Sequence, residues 1–338
     1  MKKLIFIALI FSLFNCGDEE DTQVYKPSAI GTQGIINIVM DNVLWNGRLG
    51  EIVKEKIAPM IEYYPNEEYL FDLKHNSKRE FKVSSKKQRN IIEFTINKSL
   101  SIEPKINYTS DIWASGQSIV KITGRNQQDL YDLFMSHSQE IQDHFMKLEI
   151  EQMKNNLLTN QNYLAKKQLL DSHNLSLTVP VDMELTVNNS SFAGFEQLRL
   201  VSEQQKAPGD VQQFIMIYHY PYTDKNQLTK EYLLKKRDSV AKKYFKGVEK
   251  DSYMITAPDS LVPNFPKEVL FKGNYAFEIR GLYSMVNDYR GGPFVNISVI
   301  DEARKRIITI EGHVFAPKFN KRPYMMELET VLNTLSVE

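Results

Sequence analysis

The sequence predicts an α+β protein of two domains, each a mostly antiparallel sheet with helices packed against it. Three observations lead there. Short runs rich in β-branched and aromatic residues recur along the chain, bounded by Gly, Pro and Asn, as strands are. Between Gln127 and Asp171 there is no Gly or Pro, and apolar residues return at helical spacing. Apolar content is 42% and charged content 25%, the balance of a folded globular chain rather than a disordered stalk. Lys plus Arg and Asp plus Glu each number 42, so no net field draws nucleic acid, and no nucleic-acid partner is expected. The 338 residues leave room for two domains of about 100–200 residues each.

Taken in order, residues 1–15 form a leader, 16–33 an acidic tether, 34–172 a first α+β domain ending in a long helix, and 173–338 a second α+β domain. Order begins with the apolar run Gly34 to Met40, short enough for a buried strand. Asp41 or Asn42 then caps a helix whose Trp45, Leu49, Ile52, Val53, Lys56 and Met60 keep helical spacing until Pro59 disrupts it. Tyr69 to Leu73, Arg89 to Ile96 and Gln117 to Thr123 read as strands, with polar Lys74 to Gln88 as a hairpin or loop. The helical stretch 127–171 exceeds the usual length, which predicts a break near Asn155 or Asn160. Beyond it, strands are expected at Leu175 to Val179, Met183 to Val187, Phe195 to Val201, Val211 to Tyr220, Ser252 to Thr256, Tyr275 to Tyr283, Phe294 to Ile300 and Arg306 to Phe315. Gln227 to Phe245 is a Lys-rich helix with a solvated face. A closing helix starts near Pro323, and its stripe Tyr324, Leu328, Val331 and Leu335 should dock on the sheet.

Lys2 and Lys3 followed by the apolar run Leu4 to Phe14 make a secretory leader, too short to span about 30 Å of hydrocarbon as a helix. Its end carries the only cysteine. Leu13 to Asp21 resembles a bacterial lipoprotein signal, with Asn15 where a small residue is usual. The resemblance implies acylation of Cys16, a membrane partner through the N-terminal lipid, and residence at the outer membrane or cell surface. Several acyl chains, at about 0.8 kcal/mol per buried CH2, make such an attachment effectively permanent. The acidic run Asp18 to Asp21 is similar to the surface-export signal of Bacteroidota lipoproteins.

No phosphate loop, zinc-protease or serine-hydrolase motif occurs, and no cofactor is expected. Glu311 and His313 lie two apart on a strand and so share a face. They are either a proton-transfer pair or the wetter side of an amphipathic strand. His137 and His144 stand two turns apart, about 10.5 Å by helix rise, too far to hold one metal, and read as surface residues. Trp45 with Arg48, and Arg280, Tyr289 and Arg290 around Gly291-Gly292-Pro293, are aromatic-basic groupings of the kind that line ligand pockets. The alternatives are that Trp45 anchors a core, that Trp113 plugs a loop, and that Arg280 faces solvent. Asp238-Ser239-Val240 and Asp259-Ser260-Leu261 resemble a short O-glycosylation motif.

Asp41 to Gly50, Asp111 to Ala114, Arg280 to Tyr283, Gly291 to Phe294 and Phe315 to Arg322 together resemble an uncharacterised family of Bacteroidota lipoproteins, domain of unknown function 4837. The resemblance implies a lipid-anchored envelope protein and assigns no catalytic residue. The second half is also faintly similar to the PsbP-like α-β-α fold. Three functions are compatible: a non-catalytic binding or assembly module with an envelope protein or glycan as partner, an envelope or glycan hydrolase using Glu311 and His313, and a small-ligand capture protein with Trp45 or Trp113 beside an arginine.

Overall fold

The computed structural model describes residues 26–99, 103–203 and 207–338. The leader, Cys16 and the acidic run at 18–21 lie outside the described residues. The first domain runs β1 (Ile35–Val39), α1 (Asn42–Trp45), α2 (Arg48–Ile57), β2 (Asp72–Asn76), α3 (Val83–Lys86), β3 (Asn90–Ile96), β4 (Lys105–Ser110), β5 (Ser118–Gly124) and α4 (Gln127–Thr159). Its sheet has the order β2-β1-β3-β5-β4. The mixed α+β class holds, but the expected antiparallel pairing does not hold in this domain. β1 pairs β2 and β3 in parallel, β3 pairs β5 in parallel, and β4 alone runs antiparallel. The physical reason is coverage on both faces. α2 and α4 cover one side with Leu49, Val53, Phe134 and Ile141, while Phe81 and Trp113 cover Val39, Ile91 and Ile119 on the other. Strands buried on both sides carry adjacent apolar residues, one to each face, as β1 does at Ile35-Ile36, β3 at Ile91-Ile92 and β5 at Ile119-Val120.

The single helix expected after β1 is broken at Asn46-Gly47. Its second part folds back so closely that a Cβ on Gly50 would sit 1.8 Å from the Trp45 carbonyl oxygen. Gly to Ala inside a helix usually stabilises by about 0.5–1 kcal/mol. Here Gly50→Ala is expected to lower the unfolding midpoint of the first domain; a raised midpoint, followed by Trp45 and Trp113 fluorescence, would refute the close approach. The stretch at 74–88 also differs from the expected loop, since β2 occupies its start and α3 its end.

The second domain runs α5 (Tyr163–His173), β6 (Leu175–Ser176), β7 (Glu184–Asn189), β8 (Phe192–Val201), β9 (Gly209–Pro221), α6 (Lys230–Tyr244), β10 (Tyr253–Thr256), β11 (Phe265–Phe271), β12 (Asn274–Val286), β13 (Gly291–Asp301), β14 (Arg306–Phe315), α7 (Arg322–Leu332) and β15 (Ser336–Val337). The long helical stretch breaks at Asn160, and Asn162 starts α5 by accepting from the Ala165 N–H at 3.0 Å. The main sheet is antiparallel in the order β10-β12-β13-β14-β9-β8-β7, with β11 also on β12. Tyr324, Leu328, Val331 and Leu335 are buried in the core of this domain, as the stripe requires. Gly312 permits the docking, since a Cβ there would meet Leu328 at 3.2 Å. α7 covers the face of β14 that carries Ile308 and Ile310, and α6 covers the opposite face through Arg237, so the domain has three layers. Ala165 and Leu169 of α5 join the α7-side core, so this helix, expected within the first domain through residue 172, packs with the second.

Polar contacts join the domains. The Glu68 carboxylate accepts the Lys321 and Arg322 backbone N–H groups, each at 2.8 Å, at the start of α7. Arg322 reaches Asp72 at 2.6 Å and the Tyr69 carbonyl at 2.8 Å. Arg280 makes a two-pronged pair with Glu329, both contacts 2.7 Å, and donates to the Tyr63 hydroxyl at 2.9 Å. Among the described residues no helix is long and apolar enough to cross a membrane.

Candidate functional site

The site is built on the α6 face of the second sheet. Thr229 caps α6 by accepting from the Tyr232 N–H, and the helix carries Arg237 down onto β14. There Nε and Nη2 of Arg237 donate to Oε2 and Oε1 of Glu311 at 2.9 and 2.8 Å. Asn296 on the neighbouring strand donates to Oε2 at 2.9 Å, and the guanidinium lies 4.3 Å from the Phe294 ring centre. Arg237, Glu311 and His313 all have zero exposure. Burial, the largest single influence, would raise the Glu311 carboxyl, but the Arg237 charge together with the contacts from His313 and Arg237 outweighs it and holds the group below the usual carboxylate range.

Glu311 and His313 do share a face, but it is not the wetter side of the strand. α6 seals it, and the local period of the sequence carries no trace of that distant cover. His313 stacks on Phe214 at 5.0 Å and meets the edges of Phe245 and Tyr283 at 4.9 and 5.2 Å. Its Nδ1 is 3.5 Å from Glu311 Oε1, and neither ring nitrogen completes a hydrogen bond. Burial pushes the imidazole down from its ordinary value, with Glu311 opposing. On the opposite face of the sheet, ring nitrogens of His173 at the end of α5 and His219 on β9 lie 3.3 Å apart, and burial lowers both, His219 to about 4.

These depressed histidines set a pH dependence. In the unfolded chain they take up protons near pH 6.5, while the folded forms stay neutral lower, so the unfolded state binds more protons across that window. Stability is therefore expected to be full above about pH 6.5 and to fall as pH drops below it, steepening near pH 4 where Glu311 also begins to protonate in the unfolded chain. Urea midpoints measured across this range check it, and His219→Gln should flatten the profile between about pH 6.5 and 4. A flat wild-type profile would rule out neutral buried imidazoles.

The sheet is longer than the helix that covers it. β9 and β12 have 13 residues each and span about 40 Å, whereas the 15 residues of α6 span about 22 Å. The uncovered end of the face is a cleft of about 340 Å³. Phe214, Tyr283 and Phe315 form its floor, Tyr244 and Phe245 at the end of α6 its wall, and Lys246, Glu196 and Arg290 its polar rim. Three rings around His313, those of Phe214, Phe245 and Tyr283, are also lining groups, so the imidazole lies one side chain beneath the cleft.

The grouping of Arg280, Tyr289 and Arg290 is divided by the fold. Arg290 lines the cleft and Tyr289, 88% exposed, lies beside it 6.2 Å from Phe315, while Arg280 pairs with Glu329 of α7 and reaches the first domain through the Tyr63 hydroxyl. Trp45 is half-buried, stacked on His75 at 4.8 Å with the Lys54 ammonium 4.3 Å from its ring centre, and Leu44 takes the buried place beside it. Arg48 donates to the Tyr131 hydroxyl at 3.0 Å. Trp113 packs edge-on against Phe81 in the cover over the first sheet. Trp45 and Trp113 border separate open grooves, and no arginine lines either. Of the two short Asp-Ser motifs, Asp238 accepts from Thr256 and Arg237, and Asp259 pairs with Lys230 at 3.0 Å.

One contact had no sequence signal. His144 is not merely a surface residue: its Nε2 lies 2.8 Å from Ser118 Oγ in a polar groove between α4 and the sheet. A nucleophilic serine needs free N–H donors beside it to hold an oxyanion. Here the Gly116 and Gln117 N–H groups go to Asp111 and the Ser118 N–H to the Arg89 carbonyl. The pair ties α4 to β5. Residues at positions 118 and 144 become neighbours only through the fold, so spacing could not reveal them.

Residues 162–334, just over half of the chain and the whole of the cleft, match the model of a family described as domain of unknown function (DUF4837). The chain belongs to the DUF4837 family. Ahead of the DUF4837 segment, residues 29–158 match a second domain of unknown function, DUF8532. No curated protein matches the chain. Among solved structures, the DUF4837 protein is similar to a mutant of the protein Mog1, at 11% identity over 48% of this chain and 90% of that one, with a TM-score of 0.31. It is similar to the Ran-binding protein Mog1p of Saccharomyces cerevisiae, at 11% identity over 48% and 89%, with a TM-score of 0.30. A third is LpqN, involved in cell envelope biogenesis of Mycobacterium tuberculosis, at 13% identity over 48% and 82%, with a TM-score of 0.27.

Proposed function

We propose that this DUF4837 protein is a lipid-anchored cell-envelope protein, held at the outer membrane or cell surface through Cys16, whose second domain is a non-catalytic binding module. The observation that carries the reading is the aromatic cleft left where α6 ends short of the sheet. Pockets of about 300–1,000 Å³ lined by aromatic side chains with a few polar groups are the usual form of small-ligand sites. The non-catalytic part is supported by the sealing of Glu311 and His313, since both are without exposure and the carboxylate is engaged by Arg237 and Asn296. A proton-transfer pair needs to reach its substrate within hydrogen-bond distance.

Two experiments test this reading. A thermal-shift screen of the soluble chain from Thr22 against glycans, peptides, lipid headgroups and small organic acids should yield hits that Phe315→Ala abolishes. A ligand at one hundred times its dissociation constant adds about 2.7 kcal/mol, well within reach of such a screen. Hits that survive the floor substitution would place binding elsewhere. For the anchor, Cys16→Ala should move the protein from the membrane fraction to the soluble one, and unchanged fractionation would remove the lipid from the proposal.

A further inference from the structure

The rim of the cleft is asymmetric in charge and rigidity. Nε and Nη2 of Arg290 both donate to Oδ2 of Asp288, at 3.0 and 2.7 Å, and the Arg290 backbone N–H donates to Oδ1 at 3.2 Å. The Asp288 side chain is 3% exposed and that of Arg290 22%, so the counter-ion is sealed while part of the cation remains accessible. Asp288 also receives the Val248 backbone N–H, from the loop that follows α6 and carries Lys246. One carboxylate thereby fixes the Arg290 guanidinium and tethers the backbone two residues beyond Lys246. An arginine already immobilised by a neighbour gives up little further rotamer entropy on meeting a ligand. Seven aromatic residues from the sheet and the helix end line the same cleft, with Glu196 as the carboxylate among the lining residues.

We propose, resting on the reading of the cleft as a binding site, that its ligand is a carboxylate joined to a flat apolar group: the apolar group lies on Phe214 and Phe315, the partly exposed rings of the floor, and the carboxylate is taken by Arg290 and Lys246. Stacked rings supply area and geometry, and charge-assisted hydrogen bonds supply orientation. Two sources share that chemistry, a free aromatic acid and a peptide with a C-terminal aromatic residue.

Calorimetric titration of the soluble chain with 3-phenylpropionate, with its neutral amide, and with the tripeptide Ala-Ala-Phe in free-acid and amidated forms tests the proposal. The expected result is saturable binding of at least one free acid, about tenfold weaker for the matching amide. Lys246→Gln, an exposed change that leaves the core untouched, should weaken the acid about three- to tenfold and leave the amide unaltered. Arg290→Gln should do the same more strongly. Acid and amide binding equally would keep the cleft as a site and overturn the carboxylate assignment. Neither acid nor amide binding would overturn it together with the cleft reading. The tripeptide binding more tightly than 3-phenylpropionate would name a peptide end as the source, and the reverse order a free acid.

Discussion

Arg237→Ala is expected to lower the stability of the second domain by about 3–5 kcal/mol, the cost of leaving a buried charge without its partner. Glu311 would remain without exposure, facing Asn296 and an unfilled space where the guanidinium lay. Replacing both members, as Arg237→Met with Glu311→Leu, should recover more than half of that loss, because two apolar side chains of similar size incur no desolvation penalty. Recovery is partial, since Asn296 loses its Glu311 acceptor in the double variant. Urea denaturation followed by circular dichroism makes the measurement. Trp45 and Trp113 both lie in the first domain and report only on it. A double variant as unstable as the single one would mean that the pair holds more of the structure than itself.

Glu68→Ala should be the next most costly change, at about 2–4 kcal/mol. Glu68 is 3% exposed and accepts the Lys321 and Arg322 N–H groups that open α7. Helix starts leave such donors without partners, and losing an acceptor there costs about 0.5–2 kcal/mol for each, more where water cannot replace it. The capping group belongs to the other domain, so the substitution should loosen the domain contact as well as the helix. Faster amide exchange in the first turn of α7, with exchange in β13 and β14 unchanged, is the expected signature. Uniform exchange in both would show that Glu68 does not cap the helix.

Much of the fold was legible because it follows local periods. The helix stripe on Tyr324, Leu328, Val331 and Leu335, the break at Asn160, and the long strands of the second sheet all lie where spacing and punctuation put them. What was not legible depends on cover from a distance. β4 has one half-buried apolar position in six residues and a burial pattern with no alternation, and β11 contains Pro266, as edge strands do. The parallel pairing in the first domain is set by connections and by cover on both faces. The candidate site divides along the same line. Strand spacing alone places Glu311 and His313 on one face, whereas nothing in the local sequence reveals that α6 buries them. Arg290 stands beside Tyr289 in the sequence, yet Phe214, Tyr244 and Phe245 come to the cleft from elements far along the chain.

The short strand β15 has a consequence for the order in which the molecule assembles. Ser336 and Val337 pair with Ser176 and Leu175, and the Glu338 N–H donates to the Asn174 carbonyl. The second domain is thus stitched at its beginning by residues made about 160 positions later, a closure whose entropy must be met before its contacts reward it. The first sheet needs nothing beyond Gly124 to pair its strands and only α4 to cover them. A chain emerging from one end therefore completes a folded first domain while the second is still open. The Glu68 carboxylate waits throughout for the N–H groups of Lys321 and Arg322, so the contact between domains forms among the last events of folding.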